Sequence, residues 1–152
     1  MRKLMTKKAL MTKICIPSII FVVLLIWTIW GDTALTVSTI KISSNHIPDS
    51  FSGFRIAQIS DLHNAQFGKN NIKLLELLSE NEPDIIVITG DLVDAGHTNI
   101  KVAIDFVKEA VSIAPVYYIT GNHEASLSQY DEIKTGLEMI GVIVLEDKAI
   151  QL

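Results

Sequence analysis

The sequence is short of cysteine, of histidine and, past its first 13 residues, of positive charge. Its single cysteine, Cys15, lies inside an apolar run. The rest of the chain therefore has no disulfide, no cysteine metal ligand and no thiol nucleophile. Five of the 13 Lys and Arg residues precede position 14, leaving eight against 17 Asp and Glu, a net charge of −9. Nucleic-acid binding needs the opposite sign, which excludes that class of partner. The four histidines stand at 46, 63, 97 and 123, and the 29 residues after His123 contain none. There is no internal repeat and no low-complexity segment.

What is present begins with apolar residues, 49% of the 152. Residues 14–30 form a run of 17 without a charge, at the short end of a membrane-spanning helix. Arg2, Lys3, Lys7, Lys8 and Lys13 precede it, Pro17 sits near its start, and Trp27 and Trp30 stand at its far end as interfacial aromatics do. The pattern predicts a basic cytoplasmic tail over 1–13, a transmembrane signal anchor over 14–30 and everything after Gly31 outside the cytoplasm, in a single-pass protein of the cell membrane. The competing reading is a cleaved signal peptide. The run exceeds the usual 7–15 residues, and Asp32-Thr33-Ala34 is a poor small-residue cleavage site. Lipidation of Cys15 as a cleaved lipoprotein is disfavoured, because the apolar run follows the cysteine.

Beyond the anchor, residues 33–42 alternate as a first strand, and 43–52, with Asn45 and Pro48, form a turn-rich connection, so 31–53 reads as strand plus linker. Three apolar runs follow, at 54–59, 85–89 and 116–120, each short and rich in β-branched or aromatic residues. Helical spacing fills the intervals: 70–80 with Ile72, Leu75 and Leu78 inward and Asn70 or Asn71 as cap, 100–111, and 130–140. A last strand is expected over 141–145. Alternating strands and helices make an α/β domain over 54–152.

Each of the three runs leads into a polar motif: Ser60-Asp61-Leu62-His63, Gly90-Asp91-Leu92-Val93-Asp94 and Gly121-Asn122-His123-Glu124. In open α/β sheets the site gathers at the carboxyl ends of strands. Asp61, His63, Asp91, Asp94, Asn122 and His123 should therefore converge. Carboxylates, imidazoles and an amide oxygen suit Mn, Mg, Fe or Zn, and so much acid without Lys or Arg repels itself unless a cation sits within it.

These motifs, in this order and spacing, resemble the first three of the calcineurin-like metallophosphoesterases. The resemblance implies the front half of a four-layer α/β/β/α sandwich, here preceded by one N-terminal transmembrane helix. It also implies two divalent metal ions. By the family pattern Asp61 and His63 hold the first ion, Asp91 bridges, and Asn122 holds the second through its amide oxygen. His123 is the catalytic histidine that contacts the phosphate or protonates the leaving oxygen, and Asp94 orients it. The later histidine motifs of the family, a lone His and a Gly-His-x-His, are absent. Neither His46, in a solvated loop, nor His97, facing either substrate or open solvent near Asp94, occupies a matching context. The expectation is a truncated domain, whose partner is a missing C-terminal half or a second polypeptide.

The function so implied is hydrolysis of a phosphodiester or pyrophosphate, lipid-linked substrates included, by a membrane-anchored metallophosphoesterase. The alternatives are a non-catalytic anchored interaction module and one half of a split enzyme. For single residues the plainer readings are turn-capping by Asp61 and Asp91, a structural role for Glu124 beside a catalytic one, and a purely backbone role for Gly90 and Gly121.

Overall fold

The computed structural model describes residues 7–33 and 35–152, with side chains omitted at 7–12 and 29–33. Arg2, Lys3 and Ala34, and the side chains of Lys7, Lys8, Trp30, Asp32 and Thr33, lie outside the described residues. Two compact units are formed, Met1–Thr39 and Ile40–Leu152.

The first unit contains helix α1, Lys7–Thr33. It starts before the apolar run, so Pro17 lies in the helix interior rather than at its opening. There proline removes one N–H from the ladder. Ser18 Oγ donates to the Ile14 carbonyl at 2.9 Å in the same stretch. Ile14, Ile19, Phe21 and Trp27 are all exposed. Among the described residues, no helix is long and apolar enough to cross a membrane. The anchor expected over 14–30 is thus not shown as a span.

The second unit is a four-stranded parallel sheet, β1 (Ile56–Ile59), β2 (Ile85–Thr89), β3 (Val116–Ile119) and β4 (Ile143–Val144), in the order β1-β2-β3-β4. The connections contain α2 (Ile72–Glu80), α3 (Ile100–Val111), the single turn α4 (Asn122–Ala125) and α5 (Tyr130–Met139). Parallel crossovers are right-handed, so strands added in one direction send their helices to one face. Accordingly α2 packs on α3 and α3 on α5.

In-register neighbours share a face. Ile59 pairs with Ile88, Ile88 with Tyr118, and Ile86 with Val116. Under the helices Ile86, Ile88 and Tyr118 are 0–1% exposed. The opposite face carries Ile56, Val87, Tyr117, Ile119 and Ile143, and there Ile56 is 58% and Ile119 46% exposed. On it the Gln58 amide donates to Thr89 Oγ1 at 2.9 Å. A parallel sheet is ordinarily covered on both sides. Here two layers, one of helices and one of strands, leave an apolar face open.

Two local expectations fail for identifiable reasons. Residues 35–44 form no regular structure, and Ile40 and Ile42 are exposed. An alternating pattern makes a strand only with a ladder partner for its N–H and C=O groups. Asn71 precedes α2 in the left-handed region (φ 58°) without capping it. Its buried side chain instead accepts the Phe67 N–H at 2.8 Å, closing the loop ahead of the helix. Asn99 does cap α3, accepting from the Val102 N–H at 3.2 Å.

Candidate metal centre

The three motifs meet because the chain beyond β1 continues alongside the chain beyond β2. The N–H groups of Asp61, His63 and Asn64 donate to the carbonyls of Gly90, Asp91 and Leu92 at 3.2, 2.8 and 3.1 Å. Sharp turns are needed for this path. Asp61, His63, Asn64 and Asp91 all lie at positive φ, 46–59°. For residues other than glycine the left-handed region costs roughly 1–2 kcal/mol each, so the site is strained and held by its hydrogen bonds.

Two glycines permit the closest approach. A Cβ on Gly90 (φ 92°) would stand 2.6 Å from Gly121 Cα. One on Gly121 would strike the Asp91 carboxylate and lie 2.8 Å from Glu124 Oε2. The backbone role expected of both follows from these contacts.

The side chains then converge. His63 Nε2 is 3.8 Å from Asp61 Oδ1 and 4.0 Å from Asp91 Oδ2. One donor atom from each of the three lies within 4.8 Å of the others. Such separations are too long for hydrogen bonds. They suit atoms sharing one ion, because metal–ligand bonds of about 2.0–2.2 Å put two ligands roughly 3–4 Å apart. His63 Nδ1 is buried without a hydrogen-bond partner, so no bond within the protein fixes the ring's tautomer. Donor chemistry and spacing therefore fit a divalent cation.

A second group shares His63. Donor atoms of His63, Asp94 and His123 also lie within 4.8 Å of one another, and the two imidazoles meet edge to face at 4.4 Å between centroids. The Asp94 carboxylate makes no direct hydrogen bond to His123. Its Oδ1 accepts the N–H groups of Gly96 (2.6 Å) and His97 (2.9 Å). The His97 bond, then the Gly96 bond, hold the Asp94 carboxyl below its ordinary range. The next residue does the orienting: Ala95 N–H donates to His123 Nδ1 at 3.0 Å. The neutral ring therefore carries its proton on Nε2.

Asp61, His63, Asp91, Asp94 and His123 are thus gathered in one place. Asn122 stands at the first position of α4 beside them, with its side chain exposed. The His97 side chain is exposed next to Asp94, and His46 hydrogen-bonds within its own turn, to Ser44.

Two residues matter more than the sequence reading gave them. Asn64 Oδ1 accepts the N–H groups of Asp94 and Asn99, both at 3.1 Å, and its amide donates to the Asn99 carbonyl at 2.9 Å, tying the first motif to the loop after the second. An Asn directly after a strand-end motif is a signal for the left-handed turn it makes here. Glu124 is 0% exposed and accepts three backbone N–H bonds. Its place three residues after Gly121 matches the N3 position of a capping box, half of which is formed because glycine has no side chain to return the bond. Burial, then the nearby Glu124 carboxylate, raise the Tyr118 phenol well above its usual range.

A profile described as calcineurin-like phosphoesterase matches residues 54–146. The chain belongs to that family. It is 43% identical over 65 residues to the uncharacterized metallophosphoesterase YkuE of Bacillus subtilis, covering 41% of this chain and 22% of that protein. A Campylobacter jejuni protein, also named an uncharacterized metallophosphoesterase, is 31% identical over 98 residues, covering 61% and 25%. A bovine "transmembrane protein with metallophosphoesterase domain" is 29% identical over 90 residues, covering 58% and 20%. The chain thus spans about a fifth to a quarter of the length of the curated relatives it matches.

Proposed function

We propose that this chain is the front part of a membrane-anchored metallophosphoesterase that hydrolyses phosphodiester or pyrophosphate bonds outside the cytoplasm. One observation carries the reading: Asp61, His63 and Asp91, from two strand ends, present donor atoms within 4.8 Å of one another. Asp61, His63 and Asp91 would hold the first of two ions, and Asp91 with Asn122 would hold the second. Mn, Fe, Zn and Mg all accept such ligands. The ions supply Lewis-acid polarisation of a phosphoryl group and lower the pKa of water. His123, its Nδ1 taken by the Ala95 N–H, would offer its Nε2–H as a hydrogen-bond donor to a phosphoryl oxygen. Asp94, with a donor atom within 4.8 Å of one on His63 and one on His123, helps to orient the His123 ring. Anchoring through 14–30 is supported by the uncharged run behind five basic residues and by the name of the bovine relative, a transmembrane protein with metallophosphoesterase domain.

The remaining ligands come from a further polypeptide segment, the missing half of the domain, seated on the open sheet face around Ile56, Tyr117 and Ile119. The exposure of that face also favours a second reading: a non-catalytic interaction module, or one half of a split enzyme. Substrates on either enzymatic reading are phosphate esters, lipid-linked pyrophosphates among them.

Calorimetric titration of the full chain in mild detergent with Mn²⁺, with Asp91→Asn as control, tests the centre. Saturable binding that the substitution weakens supports it. A folded chain that binds no ion removes it and leaves the interaction module. Ile119→Thr is expected to reduce self-association if the open face is unpartnered.

A further inference from the structure

Glu124 is withdrawn from water, and a buried carboxylate is tolerated only when its lone pairs are met. Three backbone N–H groups donate to it. Oε2 accepts the N–H groups of Asp91 (3.0 Å) and Gly121 (2.9 Å), and Oε1 accepts that of Val93 (2.8 Å). Two of these amides belong to the loop after β2 and one to the loop after β3. The bond is returned one residue away, where His123 N–H donates to Asp91 Oδ1 at 3.0 Å. Residues 91–93 and 121–124 therefore interlock. The interlock occupies Oδ1 of Asp91 and leaves Oδ2 as the oxygen turned toward His63.

We infer that Glu124 is the positioning residue of the metal centre: by clamping the loops after β2 and β3 it fixes the Asp91 carboxylate toward His63. The inference rests on the proposed metal centre. Glu124 touches neither ion nor substrate in this role. It acts through Asp91, whose left-handed conformation (φ 52°) would relax without the bond to its N–H.

The substitution that exposes this is Glu124→Gln. An amide keeps the shape but replaces one oxygen with a donor, so an NH₂ must face at least one backbone N–H. Glu124→Asp keeps the charge but is one methylene too short to reach three amides on two loops. Mn²⁺ affinity is measured by calorimetry on the full chain, and far-UV circular dichroism at the same temperature confirms that each variant is folded. A merely structural role would lower melting temperature and leave the affinity of folded molecules unchanged. The expected result is at least tenfold weaker binding in Glu124→Gln, with Glu124→Asp in between.

Wild-type affinity in a folded Glu124→Gln chain overturns the inference alone. Absence of binding by the wild type overturns the metal centre and the inference together. Should Glu124→Gln unfold, amide exchange in the wild type decides. Opening the clamp would displace Asp91, so Mn²⁺ should slow exchange at the Asp91, Val93 and Gly121 amides more than tenfold. Unchanged rates at those amides overturn the inference.

Discussion

Two polar clusters occupy the same carboxyl edge of the sheet, and they solve the problem of charge in opposite ways. Beyond β4, Glu146 pairs with Lys134 and accepts from the Tyr130 hydroxyl, which in turn meets Thr120 Oγ1 at 2.8 Å. Every charge there has an opposite within reach. Beyond β1 and β2, Asp61, Asp91 and Asp94 crowd two imidazoles. The Lys and Arg pairs at Arg55–Glu82, Lys101–Asp105 and Lys134–Glu146 leave that cluster untouched. Acid groups held together by strained turns, next to a cluster that neutralises itself, fit the first to the proposed cation site and the second to a scaffold role.

The contrast can be broken by substitution, and the largest effect belongs to the first cluster. Asp91→Asn should weaken Mn²⁺ binding more than ~100-fold, about 2.7 kcal/mol, while Lys134→Met leaves it unchanged by calorimetry. Equal losses in both would erase the distinction. Gly121→Ala drives a methyl into Asp91 and Glu124. It should cost roughly 2 kcal/mol of stability, as overpacking does, and reduce Mn²⁺ affinity about tenfold if the ion bonds are strained to match. Denaturant unfolding with and without Mn²⁺ separates the two effects. Tyr130→Phe removes the hydroxyl from the second cluster, with an expected cost of about 1 kcal/mol and no change in ion affinity.

The smallest effect is on pH dependence. Lys134, then Tyr130, hold the Glu146 carboxyl below its ordinary 4.5, and the Glu146 bond raises Lys134 above 10.5. A depressed carboxyl contributes stability above its unfolded pKa that is lost as pH falls through the folded value. A raised ammonium contributes below its unfolded pKa and loses that contribution as pH rises through the folded value. Both limbs, below about pH 4.5 and above about pH 10.5, should flatten in Lys134→Met when melting temperature is followed against pH. An unchanged profile would show that the pair is too exposed to matter.

Much of this was legible before any fold was known. Residues 85–89 read as a strand from an unbroken β-branched run, and β2 has those bounds. The ends of β1 and β4 are shorter than expected, because a strand lasts only as long as its neighbour offers a ladder. The convergence of Asp61, His63, Asp91, Asp94 and His123 was likewise readable, since parallel order sends every strand end to one edge. The clamp by Glu124, the grip of Asn64 and the Ala95 bond to His123 were not. Each is a contact between backbone and side chain across some 28–35 positions of sequence, and no local pattern encodes such a distance.

By itself, then, the sequence determined the family, the α/β alternation, the acidic balance and the identity of the candidate ligating side chains, because these depend on residue type and short-range period. Only the tertiary structure decided which oxygen of Asp91 is free, which nitrogen of His123 bears a proton and which face of the sheet lies open. Those follow from how loops far apart in the chain close on one another, where backbone donors and steric limits at Gly90 and Gly121 select a single arrangement.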